Sequence, residues 1–132
     1  MSTTLRVRFH ELDPYGHVNH AVYLTYLEVA RIDHLAGRGI DLLQLSADTG
    51  TQLVVVGIEV EYLAPATAGD ALEVSCTLSE RRRASAHFAQ EIQRGDAVLV
   101  RARVRTATID PAGRPVAMPA RLVAALGGQQ IV

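Results

Sequence analysis

The stretch HELDPYGHVNHAVYLTYLEVARIDH, His10 to His34, joins a polar turn to a long apolar segment, and its reading decides how the rest of the chain must be arranged. Asp13-Pro14-Tyr15-Gly16 has the residues of a type I turn: Asp first, Pro second with its φ preset, Gly fourth. Pro14 also pushes Asp13 toward an extended conformation. Asn19 stands where a helix N-cap would stand, so a helix is expected from about His20 to Ala36, ending at Gly37. Such a helix is roughly 25 Å long. Val22, Tyr23, Leu24, Tyr26, Leu27, Val29, Ala30, Ile32, Leu35 and Ala36 make it apolar around most of its circumference. Only Thr25, Glu28 and Arg31 form a polar stripe, in which Glu28 and Arg31 are spaced to pair. A helix of this kind needs burial on more than one side, so other elements have to wrap around it.

Upstream, Leu5, Val7 and Phe9 alternate with Arg6, Arg8 and His10, the pattern of a short strand that delivers the chain into the turn. Downstream, Ile40 to Leu45 reads as a loop or short helical turn and Ser46 to Thr51 as a polar break. Four strand-like stretches follow. In Leu53 to Tyr62, the residues Val54, Val56, Ile58, Val60 and Tyr62 share one face, with Gly57, Glu59 and Glu61 on the other. Ala71 to Glu80 alternates in the same way, then a stretch with Ala84, Ala86, Phe88 and Ile92, then Ala97 to Ile109. Short turns at Ala64-Pro65 to Gly69-Asp70 and at Gly95-Asp96 argue for an antiparallel meander rather than βαβ units. Pro119 to Leu126 reads as a short helix and Gly127 to Val132 as a loose tail. The expectation is an α+β layout in one domain spanning residues 1–132: about five antiparallel strands in a curved sheet around one long central helix.

Composition sets bounds on function. The chain has 132 residues, 48% of them hydrophobic and 20% charged, in the range of ordinary soluble domains that bury a core without metals or disulfides. A net charge of −1 with no basic tail gives no support for nucleic-acid binding. The one cysteine, Cys76, excludes an internal disulfide and a Cys-rich zinc site, and suits a reducing, cytoplasmic setting. It alternates with apolar residues, as a buried structural thiol does. No signal peptide or membrane span is read from the chain.

The chemistry concentrates at the turn. A carboxylate, Asp13, stands immediately upstream of a helix N-terminus, where unpaired N–H groups carry partial positive charge and can polarise a carbonyl. A base beside an oxyanion site is the skeleton of an acyl-transfer or hydrolysis centre. The same spacing also serves a plain turn and cap; the crowding of His17, Asn19 and His20 is more than a turn requires. No metal is expected, since His17 and His20 are joined by no further ligand cluster. Ser75, Ser79 and Ser85 lack the G-x-S-x-G elbow of serine hydrolases. His10 and His87 read as surface or interface residues, and Arg81-Arg82-Arg83 as a solvated strand turn, with phosphate binding the sharper alternative.

Glu11 to Tyr23 resembles the signature of the hot dog fold acyl-CoA thioesterases of the 4-hydroxybenzoyl-CoA thioesterase family, approximately D-x-D, two residues, G-x-V, two residues, then a helix carrying Tyr and often E-x-A-R. Glu28-Val29-Ala30-Arg31 supplies the last piece, and Tyr62, Pro65, Gly69 and Asp70 are similar to the family's Tyr-x-x-Pro and Gly-Asp turn. Glu11 departs from the commoner Asp. The resemblance implies the hot dog fold, a thioester substrate of coenzyme A or acyl carrier protein, no cofactor, and homodimers or homotetramers with sites at a subunit interface. It implies Asp13 as the catalytic carboxylate, attacking directly or acting as general base, and the backbone N–H of His20 as the group that polarises the carbonyl. Gly16, His17, Val18, Asn19, Tyr23 and Glu28 are the candidate substrate-contacting residues. An acyl carrier protein thioesterase, a non-catalytic acyl-CoA binder, and hot dog dehydratases or hydratases are the alternatives; Asp13 argues against the binder, and the helix-borne patterns of the last two are not evident.

Overall fold

A computed structural model describes residues 2–127. In chain order it contains β1 (Ser2–Arg6), a 3-10 turn (Phe9–Glu11), α1 (Val22–Ala36), α2 (Leu42–Thr49), β2 (Gln52–Tyr62), β3 (Ala71–Ser75), β4 (Thr77–Arg82), β5 (Ser85–Arg94), β6 (Ala97–Ile109) and α3 (Ala120–Leu126). The strands form one antiparallel sheet in the order β1-β3-β5-β6-β2, with β4 also paired to β5. The architecture is α+β, and the wrapping required by the apolar helix is supplied by this sheet. Tyr23, Tyr26, Leu27 and Ala30 of α1 are buried in one cluster with Leu72, Val74, Ile92, Leu99, Val100 and Ala102 of the strands. Leu35, at the other end of α1, joins Leu45 of α2, Leu122 and Leu126 of α3, and Cys76, Phe88 and Val104.

Six strands stand where about five were expected, because the stretch from Ala71 divides at Cys76. The register is unchanged across the break, Val74 opposite Ile92 and Thr77 opposite Ala89. Between them the Ser75 hydroxyl, not a backbone carbonyl, accepts from the Glu91 N–H at 3.0 Å. The first strand also ends earlier than its alternation suggests. Val7 is buried, but Phe9 lies in the 3-10 turn and is 86% exposed. Turning there brings the Glu11 side chain inward, where its Oε1 accepts from the Arg8 N–H at 2.8 Å.

Two further expectations are corrected. At Ile40 to Leu45 the helical alternative holds from Leu42, but the helix continues through most of the expected polar break as α2, whose N-cap Asp41 accepts from the N–H groups of Leu43 and Gln44 at 3.0 and 3.2 Å, and whose C-cap Gly50 has φ +73°. In β2 the single apolar face is interrupted by a bulge. Val55 pairs with Thr106 and Gly57 with Arg105, leaving Val56 unpaired and 56% exposed. The extra residue reverses the phase of the alternation. Leu53 therefore packs inward before the bulge, and Ile58 and Val60 after it. The expected ranges of β6 and, within one residue, of β2 and α3 agree with the structure. The expected tail from Gly127 falls, beyond that residue, outside the described residues.

Candidate functional site

The loop from Glu11 to Asn19 is a small closed arch. The Asn19 N–H donates to the Glu11 carbonyl at 2.9 Å, Leu12 bridges Val18, and the Asp13 N–H donates to the His17 carbonyl at 2.6 Å. At its tip the Gly16 N–H donates to the Asp13 carbonyl at 3.1 Å, the bond of the expected turn, and Gly16 takes a positive φ of 79°. The arch is tied to the sheet connection beyond β2: the N–H of the buried Val18 donates to the Ala66 carbonyl at 2.9 Å, and His17 bridges Thr67. Asp13 uses one carboxylate oxygen for structure. Its Oδ1 accepts from the N–H groups of Tyr15 and His17 at 2.8 and 3.1 Å. Its Oδ2 has no hydrogen-bond partner among the described residues, and the side chain is half-buried.

The arch leads directly into α1. Asn19 accepts the Val22 N–H on its carbonyl and the Ala21 N–H on Oδ1, both at 2.9 Å, so the regular helix begins at Val22 rather than at His20. The N–H of His20 has no acceptor among the described residues. Its carbonyl is held by the Tyr62 hydroxyl, which donates at 2.8 Å from the end of β2. Tyr23 is buried beneath this point, its hydroxyl accepting from the Ala66 N–H at 2.9 Å and its ring 5.5 Å from that of Tyr62. Burial pushes the Tyr23 phenol above its ordinary value against the pull of the Ala66 N–H, and the charges of Tyr62 and Asp13 add to the rise.

Glu11, which sequence reasoning did not place in the site, anchors the arch. Its Oε1 accepts from the Tyr26 hydroxyl at 2.7 Å, which ties the loop to the first turns of α1. Burial alone would raise this carboxyl; the bonds from Arg8 N–H and the Tyr26 hydroxyl, with the charges of Arg8 and His10, hold it below its ordinary value. The only advance signal was that Glu11 occupies the first acidic position of the D-x-D pattern.

Residues of α1 and β2 also meet at a cavity of about 270 Å³ lined by Glu28, Arg31, Ile32, Leu35, Leu42, Leu53, Val54, Val55, Phe88 and Thr106. Glu28 is exposed at this cavity and makes no ion pair with Arg31 within 4.0 Å, contrary to the i,i+3 expectation. Arg31 is buried instead and donates to Gln90 Oε1 at 3.0 Å. A larger groove of about 730 Å³ lies on the outward-facing side of β6 and includes no residue of the arch.

The remaining candidates lie elsewhere. His87 pairs with Glu80 at 2.8 Å. Arg81 is buried and donates to the Gly127 carbonyl at 3.3 Å, so the arginine run is not a solvated turn throughout. Cys76 is buried, and burial pushes its thiol up to about 11, far from nucleophilic. Among the described residues no three His, Cys, Asp or Glu side chains gather in a way that would hold a metal. No described helix is long and apolar enough to cross a membrane.

The sequence profile of the Thioesterase-like superfamily matches residues 7–126. The chain belongs to this family. The strands, the central helix and the arch at its N-terminus are therefore a hot dog thioesterase fold, and the protein is an enzyme of the thioester hydrolase class. It is similar to the acyl-CoA thioester hydrolase YbgC of Escherichia coli O6:H1, 34% identical over 131 residues, covering 94% of this chain and 97% of the relative. It is also similar to the long-chain acyl-CoA thioesterase FadM of Escherichia coli K12, 37% identical over 92 residues, covering 70% of this chain and 68% of the relative. Among solved structures, a thioesterase of Thermus thermophilus in complex with coenzyme A and zinc superposes with TM-score 0.81 at 30% identity, covering 95% of this chain and 90% of that one.

Proposed function

We propose that the chain hydrolyses acyl-CoA thioesters at the arch, with Asp13 as nucleophile or general base and the His20 N–H as oxyanion donor. The observation that carries this reading is the division of labour within Asp13: Oδ1 is clamped by two backbone N–H groups while Oδ2 is left open, one short loop away from an N–H with no acceptor. As a base, Asp13 takes a proton from water, the hydroxide adds to the thioester carbonyl, the His20 N–H holds the oxyanion, and the thiolate leaves and takes up the proton. As a nucleophile, Oδ2 adds to the carbonyl carbon, expels the thiolate and leaves an anhydride that water opens. Thiolate is a good leaving group on either route, so no strong acid is required. Gly16 and Asn19 shape the loop, His17 and Val18 fix it to the sheet connection, and Tyr23 supports the floor; Glu28 stands further along α1 beside the path of the acyl group. Coenzyme A in the Thermus relative and the acyl-CoA names of the Escherichia coli relatives support the choice of substrate.

The unit that performs this is a homo-oligomer. Among the described residues β2 is an 11-residue edge strand paired only to β6, and Val29, Ile32, Val55, Val56, Tyr62 and Leu63 leave an exposed apolar margin along it and α1. An open edge of that length and apolarity is suited to pairing with a second copy. Release of thiol from a panel of acyl-CoAs, with Asp13→Asn in parallel, tests the reading: turnover should fall by about 10² to 10⁴ in the variant with the fold retained. Full activity in Asp13→Asn removes Asp13 from the mechanism, and single turnover in ¹⁸O water separates the two routes, because only the anhydride can leave label in Asp13.

A further inference from the structure

Arg31 is 7% exposed, yet no carboxylate lies within 4.0 Å of it among the described residues. Buried charges are ordinarily paired, because an uncompensated one is costly. Its one hydrogen-bond partner is neutral, the Oε1 of Gln90 at 3.0 Å. That amide cannot turn round or become a carboxylate without loss. Gln90 is itself buried, and its Nε2 donates to the carbonyls of Leu27 and Ser75 at 3.0 and 3.2 Å. A glutamate there would set an oxygen against two carbonyl oxygens. Gln90 therefore holds Arg31 in place without cancelling its charge; the exposed Glu28 on the same cavity acts on that charge without contacting it, and a guanidinium has five N–H donors, of which Gln90 engages one.

Arg31 is itself part of the lining of the cavity whose other walls are mainly Ile32, Leu35, Leu42, Leu53, Val55 and Phe88. The cavity is lined by residues of both α1 and β2, and the same two elements approach each other at the arch, where the end of β2 reaches the entry to α1 and Tyr62 donates to the His20 carbonyl. The eleven positions from His20 to Arg31 correspond to about 16 Å along the helix axis. Helical side chains lean back toward the N-terminus, so the guanidinium is nearer the arch than its Cα is. An extended chain gains about 1.2 Å per bond, so an acyl group of about fourteen carbons spans the full interval and a shorter one, down to about ten, spans it once the lean of the side chain is allowed for.

We propose that the enzyme selects acyl groups carrying an oxygen acceptor, a hydroxyl or carboxylate, at the end remote from the thioester, and that Arg31 is the residue that recognises it. This rests on the acyl-CoA hydrolysis proposed above. The two oxygenated classes differ in one respect: the guanidinium favours the carboxylate, while the exposed Glu28 on the preceding turn repels it and not the hydroxyl.

The test compares kcat/KM for plain, ω-hydroxy and ω-carboxy acyl-CoAs at matched lengths of about ten, twelve and fourteen carbons, in the wild-type protein, Arg31→Met and Arg31→Lys. A hydrogen bond to a charged group predicts an oxygenated-to-plain ratio of about 10 to 100 at the best length in the wild type. The ratio should collapse to about one in Arg31→Met and be partly kept in Arg31→Lys. A wild-type ratio near one at every length overturns the proposal, as does a ratio unchanged in Arg31→Met. Should Arg31→Met fail to fold, the wild-type ratio and Arg31→Lys decide. Failure to hydrolyse any thioester is a different result, which removes the proposed function and this inference with it.

Discussion

Asparagine at position 13 retains the oxygen that Asp13 offers to Tyr15 and His17, so Asp13→Asn separates charge from architecture. A large rate loss without loss of melting temperature is the signature expected of that variant. His34 tests a different property of a single residue. It is 4% exposed, both ring nitrogens lack a hydrogen-bond partner among the described residues, and its ring stands edge-on to Phe88 at 6.5 Å. Burial lowers its pKa below the ordinary value, and the nearby charge of Arg38 acts in the same direction. The unfolded chain therefore binds this proton at a pH where the folded chain does not. Above the unfolded pKa of about 6.5 His34 does not change stability with pH, and below it stability falls as the pH is lowered. His34→Leu should flatten that part of the melting temperature profile between about pH 7 and 5; an unchanged slope would assign it to other groups.

At the scale of the element, the structure shows which sequence patterns could be read and which could not. The range of β6 was legible because Val100 to Ile109 alternates, but the irregularity before it was not: Leu99 is skipped in the pairing with β5, and Leu99 and Val100 are both buried. β2 was legible as a strand but not in its facing, since nothing in the run Leu53-Val54-Val55-Val56 marks the bulge residue; Gly57, beneath the Arg105 guanidinium, is the nearest signal. α2 was readable in principle from Asp41 and Gly50, but its polar second half disguised it. Phe9 misled because exposure of an aromatic residue leaves no mark in an alternation. In the candidate site, the turn, the positive-φ glycine and the cap could all be read locally. Tyr62, Tyr26 and Gln90 could not, because their contacts join residues separated by 42, 15 and 59 positions. The Glu11–Tyr26 bond fastens the arch to α1, and Tyr26→Phe leaves a buried carboxylate with one donor fewer. A loss of about 1 to 3 kcal/mol in denaturant unfolding is expected. Glu11 contributes its stability above the unfolded pKa and loses it as pH falls through the lower folded value, so the deficit of Tyr26→Phe should shrink in acid. A deficit independent of pH would show that packing, not the carboxylate, is responsible.

For the whole molecule, the open edge of β2 is the feature with the largest consequence for assembly. Val56 is exposed on the bulge, so Val56→Lys should change monomer stability by no more than about 0.5 kcal/mol. On the pairing proposed for this edge, the charge should weaken association and lower the mass seen by sedimentation. An unaltered mass would move the subunit contact away from β2.

The order of the strands also governs synthesis. α1 is made before any of the strands β2 to β6, yet its buried face needs Leu99, Val100 and Ala102 of β6, roughly seventy residues later. At a ribosomal rate of about 5 to 20 residues per second, that apolar helix waits some 4 to 15 seconds for its cover. During the interval its uncovered apolar surface is a ready target for chaperones and for other nascent chains.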